Sequence, residues 1–173
     1  MKSFKIFGLA ALIALASACG SKTGPAVKVP GSGAGAGQGS GASVSTEAKA
    51  RFEAAMTAMT THDKAADWAD AICTQVAQDF VAANKLQRDG AKSEADRRLP
   101  EALYNAGLAY QRCNKDAEAR AQFQAALAED AKYHRAKVQL ALYDYKEKGD
   151  TSLDSTIQRL QDAVVEAQFQ NVD

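Results

Sequence analysis

Three cysteines and two histidines are the side chains of this 173-residue chain best suited to covalent or metal chemistry. Cys19 follows a short leader: Met1, Lys2 and Lys5 make a basic start, Ile6 to Leu15 an apolar stretch, and Ala16-Ser17-Ala18 a run of small residues. That order marks a secretory signal. The apolar run is shorter than the ~20 residues a membrane-spanning helix needs. A chain exported from the cytoplasm enters an oxidising compartment, where thiols can pair. Cys73 and Cys113 then either form a disulfide, closing a loop of about 40 residues and stabilising by roughly 4 kcal/mol, or stay as two buried inert thiols. His62 and His134 fall near the ends of different helices, and no Cys/His spacing matches a metal site; both are expected at the solvated surface. Glu118 and Glu129 are a carboxylate pair of the general type that hydrolyses glycosides, yet they fall on helical faces that read as solvated. No nucleophile elbow, phosphate-binding glycine loop or zinc motif is found. The expectation is a protein with no catalytic activity, no metal, no cofactor and no small-molecule substrate.

Ala16-Ser17-Ala18-Cys19 resembles the lipobox of bacterial lipoproteins, with Ala16 where that family usually carries leucine and Leu15 one place further back. The resemblance implies that residues 1–18 are a signal peptide and that Cys19 becomes a lipidated N-terminus. An ordinary cleaved signal and an uncleaved anchor are the alternatives. Each buried acyl methylene contributes about 0.8 kcal/mol, so the family's triacylated cysteine would be a firm anchor. Gly20 follows Cys19 where an aspartate would retain the protein at the inner membrane; this implies an outer-membrane, periplasm-facing location.

The elements that carry these residues divide sharply. Residues 19–45 form the lipidated cysteine and a Gly/Ser/Ala-rich stretch with no aromatic residue and no apolar period. Such a segment cannot offset its ordering entropy by burial, and about 25 flexible residues reach roughly 25–30 Å. It reads as a passive tether. Residues 46–173 are one domain's worth of chain. Twenty-one basic and twenty-one acidic residues balance, which excludes the concentrated basic surface that nucleic acid requires. After the tether Pro100 is the only proline, nothing alternates with period two, and the apolar period is helical throughout. The domain is expected to be all-α.

Residues 100–133 carry the clearest pattern. Gly107 and Ala119 are small, as two closely packed helices require, while Tyr110, Phe123 and Ala126 are spaced to fill the gap to a neighbour. Pro100 suits a first helical turn, Asn114 ends that helix, and Asp116 can cap the next. This stretch resembles a tetratricopeptide (TPR) repeat, a helical hairpin of about 34 residues. With Pro100 first, Gly107 and Tyr110 take the family's eighth and eleventh positions, and Ala119, Phe123 and Ala126 the twentieth, twenty-fourth and twenty-seventh. Leu103, Ala106 and Ala131 depart from the consensus.

The flanking units are divergent. Upstream, Glu47–Thr61 and Lys64–Asn84 read as two helices, the second carrying Trp68, Ile72, Val76 and Phe80 at steps of four. Gln87–Leu99 reads as a charged loop with room for one helical turn. Downstream, a helix over His134–Lys148 stops at Gly149, and another begins at Asp150 or Ser152 and runs to Gln170. Its Leu153, Ile157, Leu160, Val164 and Ala167 form one apolar face, with Leu153, Ile157 and Leu160 in register with Ala119, Phe123 and Ala126. Asp144 stands where the repeat has tyrosine. Val165 and Phe169 make a second apolar edge, either loosely exposed or docked on a further repeat, a twin chain or a partner. The whole reads as a TPR-like solenoid of about three hairpins, near the minimum for a stable stack.

The TPR resemblance also implies a groove. The family's second, fifth, ninth, twelfth and thirteenth positions commonly face it; here these are Glu101, Tyr104, Leu108, Gln111 and Arg112, then Arg135, Val138, Leu142, Tyr145 and Lys146. Such a mixture suits an extended peptide or helix. The implied function is a periplasmic scaffold lipoprotein mediating protein–protein interactions, similar in plan to TPR lipoproteins of envelope machines that serve gliding motility or type IV pilus assembly. The alternative is a pilotin-like or outer-membrane assembly chaperone. A glycan binder would need an aromatic platform, which the sequence does not supply.

Overall fold

The computed structural model describes residues 43–169. The leader, Cys19, the tether before Ser43 and residues 170–173 lie outside them. Among the described residues the chain is helical and has no strand: α1 (Thr46–Ala65), α2 (Asp70–Gly90), α3 (Pro100–Gln111), α4 (Asp116–Glu129), α5 (His134–Lys148) and α6 (Leu153–Phe169), with 3₁₀ turns at Ala95–Arg97 and Gly149–Ser152. They form three successive hairpins, α1/α2, α3/α4 and α5/α6, with α2 packed on α3 and α4 on α5. The fold is an all-α, solenoid-like stack.

Each boundary has a local cause. Ser45 caps α1, its hydroxyl accepting from the Ala48 amide at 3.2 Å. α1 ends where Ala66 turns left-handed (φ 52°), a conformation that costs a non-glycine residue about 1–2 kcal/mol. The second helix therefore starts at Asp70, six residues later than the periodicity suggests. Trp68 sits in the connection instead, its indole N–H donating to Asp63 at 2.9 Å. α2 also runs on through Asp89 and Gly90, residues that read as loop. Asn114 adopts the left-handed conformation (φ 55°) after α3, which suits its short polar side chain. Asp116 does not cap α4. It is the first helical residue, Lys115 being the cap, and its carboxylate instead takes the Tyr143 hydroxyl at 3.3 Å and the Lys146 ammonium.

Two core clusters flank α3. One gathers Ala55, Met59, Val76, Ala77 and Phe80 from α1 and α2 against Ala106 and Ala109. The other packs Leu103 with Ala119, Phe123 and Ala126 of α4 and Ala136 and Tyr143 of α5. Alanine at these contacts lets helix axes approach closely. Gly107 marks the tightest approach: a Cβ there would lie 2.5 Å from the Phe123 ring. Cys73 in α2 and Cys113 just after α3 are joined by a disulfide, Cα–Cα 6.4 Å, fastening the first hairpin to the second.

The N-terminal approach is pinned by a buried glutamine. Gln87 of α2 is fully buried. Its amide N–H donates to the Ser43 and Asp96 carbonyls, and its oxygen accepts from the Ser45 amide at 2.8 Å. Residues 43–45, read as the end of the tether, are thus bound to the fold.

α6 departs most from its sequence reading. Its packing face is Thr156 and Ala163, continuing from Ser152 of the preceding turn, all buried, with Arg159 reaching Asp144 at 2.7 Å and Glu166 reaching Lys137 at 2.7 Å. The apolar face expected to be covered is open: Leu153 is 40% exposed, Ile157 44% and Val164 56%. Val165 is exposed as well; the Phe169 side chain lies outside the described residues.

Candidate protein-binding groove

The first helices of the hairpins, α1, α3 and α5, are linked along one side by polar contacts. Arg112 after α3 grips Asp63 of α1 through two hydrogen bonds, Nε to Oδ1 at 3.2 Å and NH2 to Oδ2 at 3.0 Å. The Arg112 hydrogen bond holds the Asp63 carboxyl below its ordinary range. Between α3 and α5, the Gln111 amide donates to Gln139 at 3.0 Å. Beside that pair opens a cleft of about 250 Å³, lined by Gln111, Asn114 and Asp116 on one side and by Gln139, Leu142, Tyr143 and Lys146 of α5 on the other.

The ten residues that the repeat positions nominate divide into groups. Gln111, Leu142 and Lys146 meet in the cleft, with Leu142 45% exposed. The hydrogen bond to Asp116 keeps Lys146 charged by raising its pKa. Arg112 is committed to Asp63, so it is not a free clamp for a partner's carboxylate. Tyr104 and Leu108 are half-buried against the core; the Tyr104 ring lies 5.6 Å from those of both Phe123 and Tyr133. Glu101 and Arg135 face one another at the other end of α3 and α5; burial raises the Glu101 pKa and the Arg135 charge opposes it. Burial likewise pushes the Tyr133 hydroxyl upward. Val138 is half-buried, and the exposed Tyr145 donates to Asp150 at 3.3 Å.

The repeat register did not nominate Gln139, Tyr143, Asn114 or Asp116. Gln139 lies one place after Val138 and reaches the cleft through the hydrogen bond it accepts from Gln111. Asp116 read as a helix cap, and its acidic first-turn position gave no hint of a role beside Lys146.

Three other expectations about polar groups are corrected. Glu129 is not solvated: its side chain is 11% exposed, and it accepts from Asn84 at 2.8 and 2.9 Å, from the Leu99 amide at 2.9 Å and from Arg88 at 2.7 Å. It ties the end of α4 to α2 and to the start of α3. His62 is only partly exposed and its Nδ1 lies 2.8 Å from Asp67. His134 is partly buried, stacked on Tyr133 with ring centroids 6.4 Å apart, and its Nδ1 has no hydrogen-bond partner among the described residues.

A wider cleft of about 960 Å³ lies between α2 and α4. Its Lys85, Arg88 and Arg97 are matched by Asp89, Glu129 and Glu94, while Arg98 also lines it. Asp70 lies with Cys73 and Cys113 in a grouping that could hold a metal ion were the thiols free; here both sulfurs are in the disulfide. No helix among the described residues is long and apolar enough to cross a membrane. Compared with protein-family models, curated proteins and solved structures, the chain matches none.

Proposed function

We propose that this chain is a TPR-type scaffold lipoprotein, anchored through Cys19 in the outer membrane and facing the periplasm, whose α3/α5 cleft holds an extended segment of a partner in an envelope complex. A motility machine is one such setting. The observation that carries the reading is the composition of the cleft. An extended polypeptide offers apolar side chains between backbone N–H and C=O groups. The cleft offers the exposed Leu142 beside the Gln111–Gln139 amide pair, with the Lys146–Asp116 pair at its edge. Amides serve backbone groups of either polarity, because each carries both donor and acceptor.

Crosslinking in intact cells tests this. A photoreactive residue at Leu142 is expected to capture one envelope protein reproducibly, with the same residue at the exposed Glu53 of α1 as control. Adding Gln139→Ala is expected to reduce capture. Equal labelling at Leu142 and Glu53, or no adduct at Leu142, rejects the cleft. Anchoring is tested separately: labelled palmitate is expected in the wild-type chain and absent from Cys19→Ser.

A further inference from the structure

Of the exposed large hydrophobic residues, Leu153, Ile157, Val164 and Val165 fall on the single helix α6. Leu153, Ile157 and Val164, with the half-buried Leu160 between them, share one face, and an exposed apolar face of this kind marks an interaction site. At about 100° per residue, the stripe Leu153, Ile157, Leu160, Val164 lies roughly a quarter-turn from the Ser152, Thr156 and Ala163 face that packs on α5.

The stripe has a specific grammar. Its steps of four, three and four are those of a coiled-coil seam. In that register Leu153 and Leu160 occupy the d positions, and the β-branched Ile157 and Val164 occupy a. This division, β-branched at a and leucine at d, favours two parallel strands over higher assemblies. The flanks agree. Asp154, Gln161 and Gln168 lie on one side and Thr156 and Ala163 on the other. Thr156 and Ala163 are buried against α5, and Gln161 and Gln168 on the open flank are exposed and uncharged, so two identical helices meet without repulsion.

The other end of the stack offers no match. α1 exposes Glu47, Lys49, Arg51 and Glu53, so head-to-tail contact would set charged groups against the apolar stripe. Like faces meeting about a two-fold axis bury the stripe and close the assembly.

We propose that α6 is a self-association helix, through which two copies of this chain pair in parallel about a two-fold axis. The surface is separate from the α3/α5 cleft and does not depend on what the cleft binds.

Sedimentation equilibrium of the full chain in density-matched detergent tests the pairing. The wild-type chain is expected at twice its monomer mass. Ile157→Glu and Leu160→Glu are each expected to halve that mass while helical circular dichroism stays unchanged. Val44→Glu, an exposed position outside α6, is expected to leave the dimer intact. Ile157→Cys reads out the register: an oxidant is expected to give a reducible twofold-mass band that is absent from the wild type, which carries the same Cys19. A wild-type monomer up to the solubility limit, or a dimer that both glutamate variants leave whole, overturns the proposal. A dimer whose Ile157→Cys form does not crosslink overturns the parallel arrangement.

Discussion

The second and third hairpins place equivalent residues in opposite surroundings. Ala119, Phe123 and Ala126 of α4 are fully buried, because α5 closes over them. In the same register on α6, Leu153 and Ile157 are exposed and Leu160 is half-buried. The terminal residues are on balance bulkier and more apolar, yet they are the uncovered ones. Sequence register does not by itself fix which way a side chain points: Phe123 turns onto Gly107 of the preceding helix, whereas on α6 the buried residues are Thr156 and Ala163, and the stripe lies a quarter-turn from them. The two hairpins also differ in how they are held. The second is fastened upstream by the disulfide and by Glu129, whereas the third is held to the second by a shared core around Phe123 and Tyr143 and by polar links from Arg120 to Asp144 and Glu147, from Asp116 to Lys146 and from Gln111 to Gln139, with no covalent cross-link among the described residues.

The sharpest test of this contrast is a pair of truncations. Phe123→Ala empties a fully buried site and is expected to cost about 3–5 kcal/mol; Ile157→Ala, in the same register, is expected to change monomer stability by no more than ~0.5 kcal/mol. Urea unfolding in the monomeric Leu160→Glu background, free of any dimer contribution, measures both, and comparable losses would break the comparison. Reducing the Cys73–Cys113 bond is expected to cost about 4 kcal/mol, seen as a lower melting temperature with reductant. If the third hairpin is the more weakly held, its amides should exchange with deuterium first even in the oxidised protein.

Two smaller effects belong to the second hairpin. Gly107→Ala forces a methyl group against the Phe123 ring and is expected to cost about 1–3 kcal/mol. Glu129→Ala leaves the Leu99 amide and Asn84 short of an acceptor, with an expected cost of about 1–3 kcal/mol; Glu129→Gln should recover part of it.

The smallest effect concerns pH. Hydrogen bonds from Arg120 and Arg159 hold Asp144 below its ordinary 3.8, so its contribution is complete above that value and is lost as pH falls through the lowered one. Burial raises Glu101 above its ordinary 4.5, so the sign reverses: its contribution is present below 4.5 and is lost as pH rises through the raised value. Acidifying from neutrality should therefore first add stability through Glu101 and then remove it through Asp144. The Asp144 carboxylate is 19% exposed, but its partners Arg120 and Arg159 are partly open to solvent, so screening holds its share to about 1 kcal/mol. Asp144→Asn should lessen the low-pH decline, leaving the share of Asp63, whose carboxyl Arg112 also holds low, and should keep the rise, as read from melting temperature against pH.

Much of the helical plan was legible because amphipathic periodicity is local. The α5 bounds, Pro100 at the start of α3 and the small residue at Gly107 all follow from spacing and side-chain size. The α1–α2 corner was not legible: Ala66 adopts a left-handed conformation without the glycine or asparagine that usually signals one, as Asn114 does. Glu129 and Gln87 were misread or passed over because their partners lie far along the chain, Asn84 forty-five residues from Glu129 and Ser43 forty-four from Gln87. In the cleft, the repeat register nominated Gln111, Leu142 and Lys146, but it could not separate them from Tyr104, which packs inward, or from Arg112, which Asp63 occupies.

Gln87 also settles how the folded part would carry tension. Its amide grips Ser43 and Ser45 beside the last turns of α2, so a pull on the preceding residues loads α2 and the turn at 95–97 before it can unzip α1 from its first turn. α2 is the helix that the sulfur bridge joins to the next hairpin. Strain arriving there is shared between two hairpins, because the bridge passes load from the first to the second.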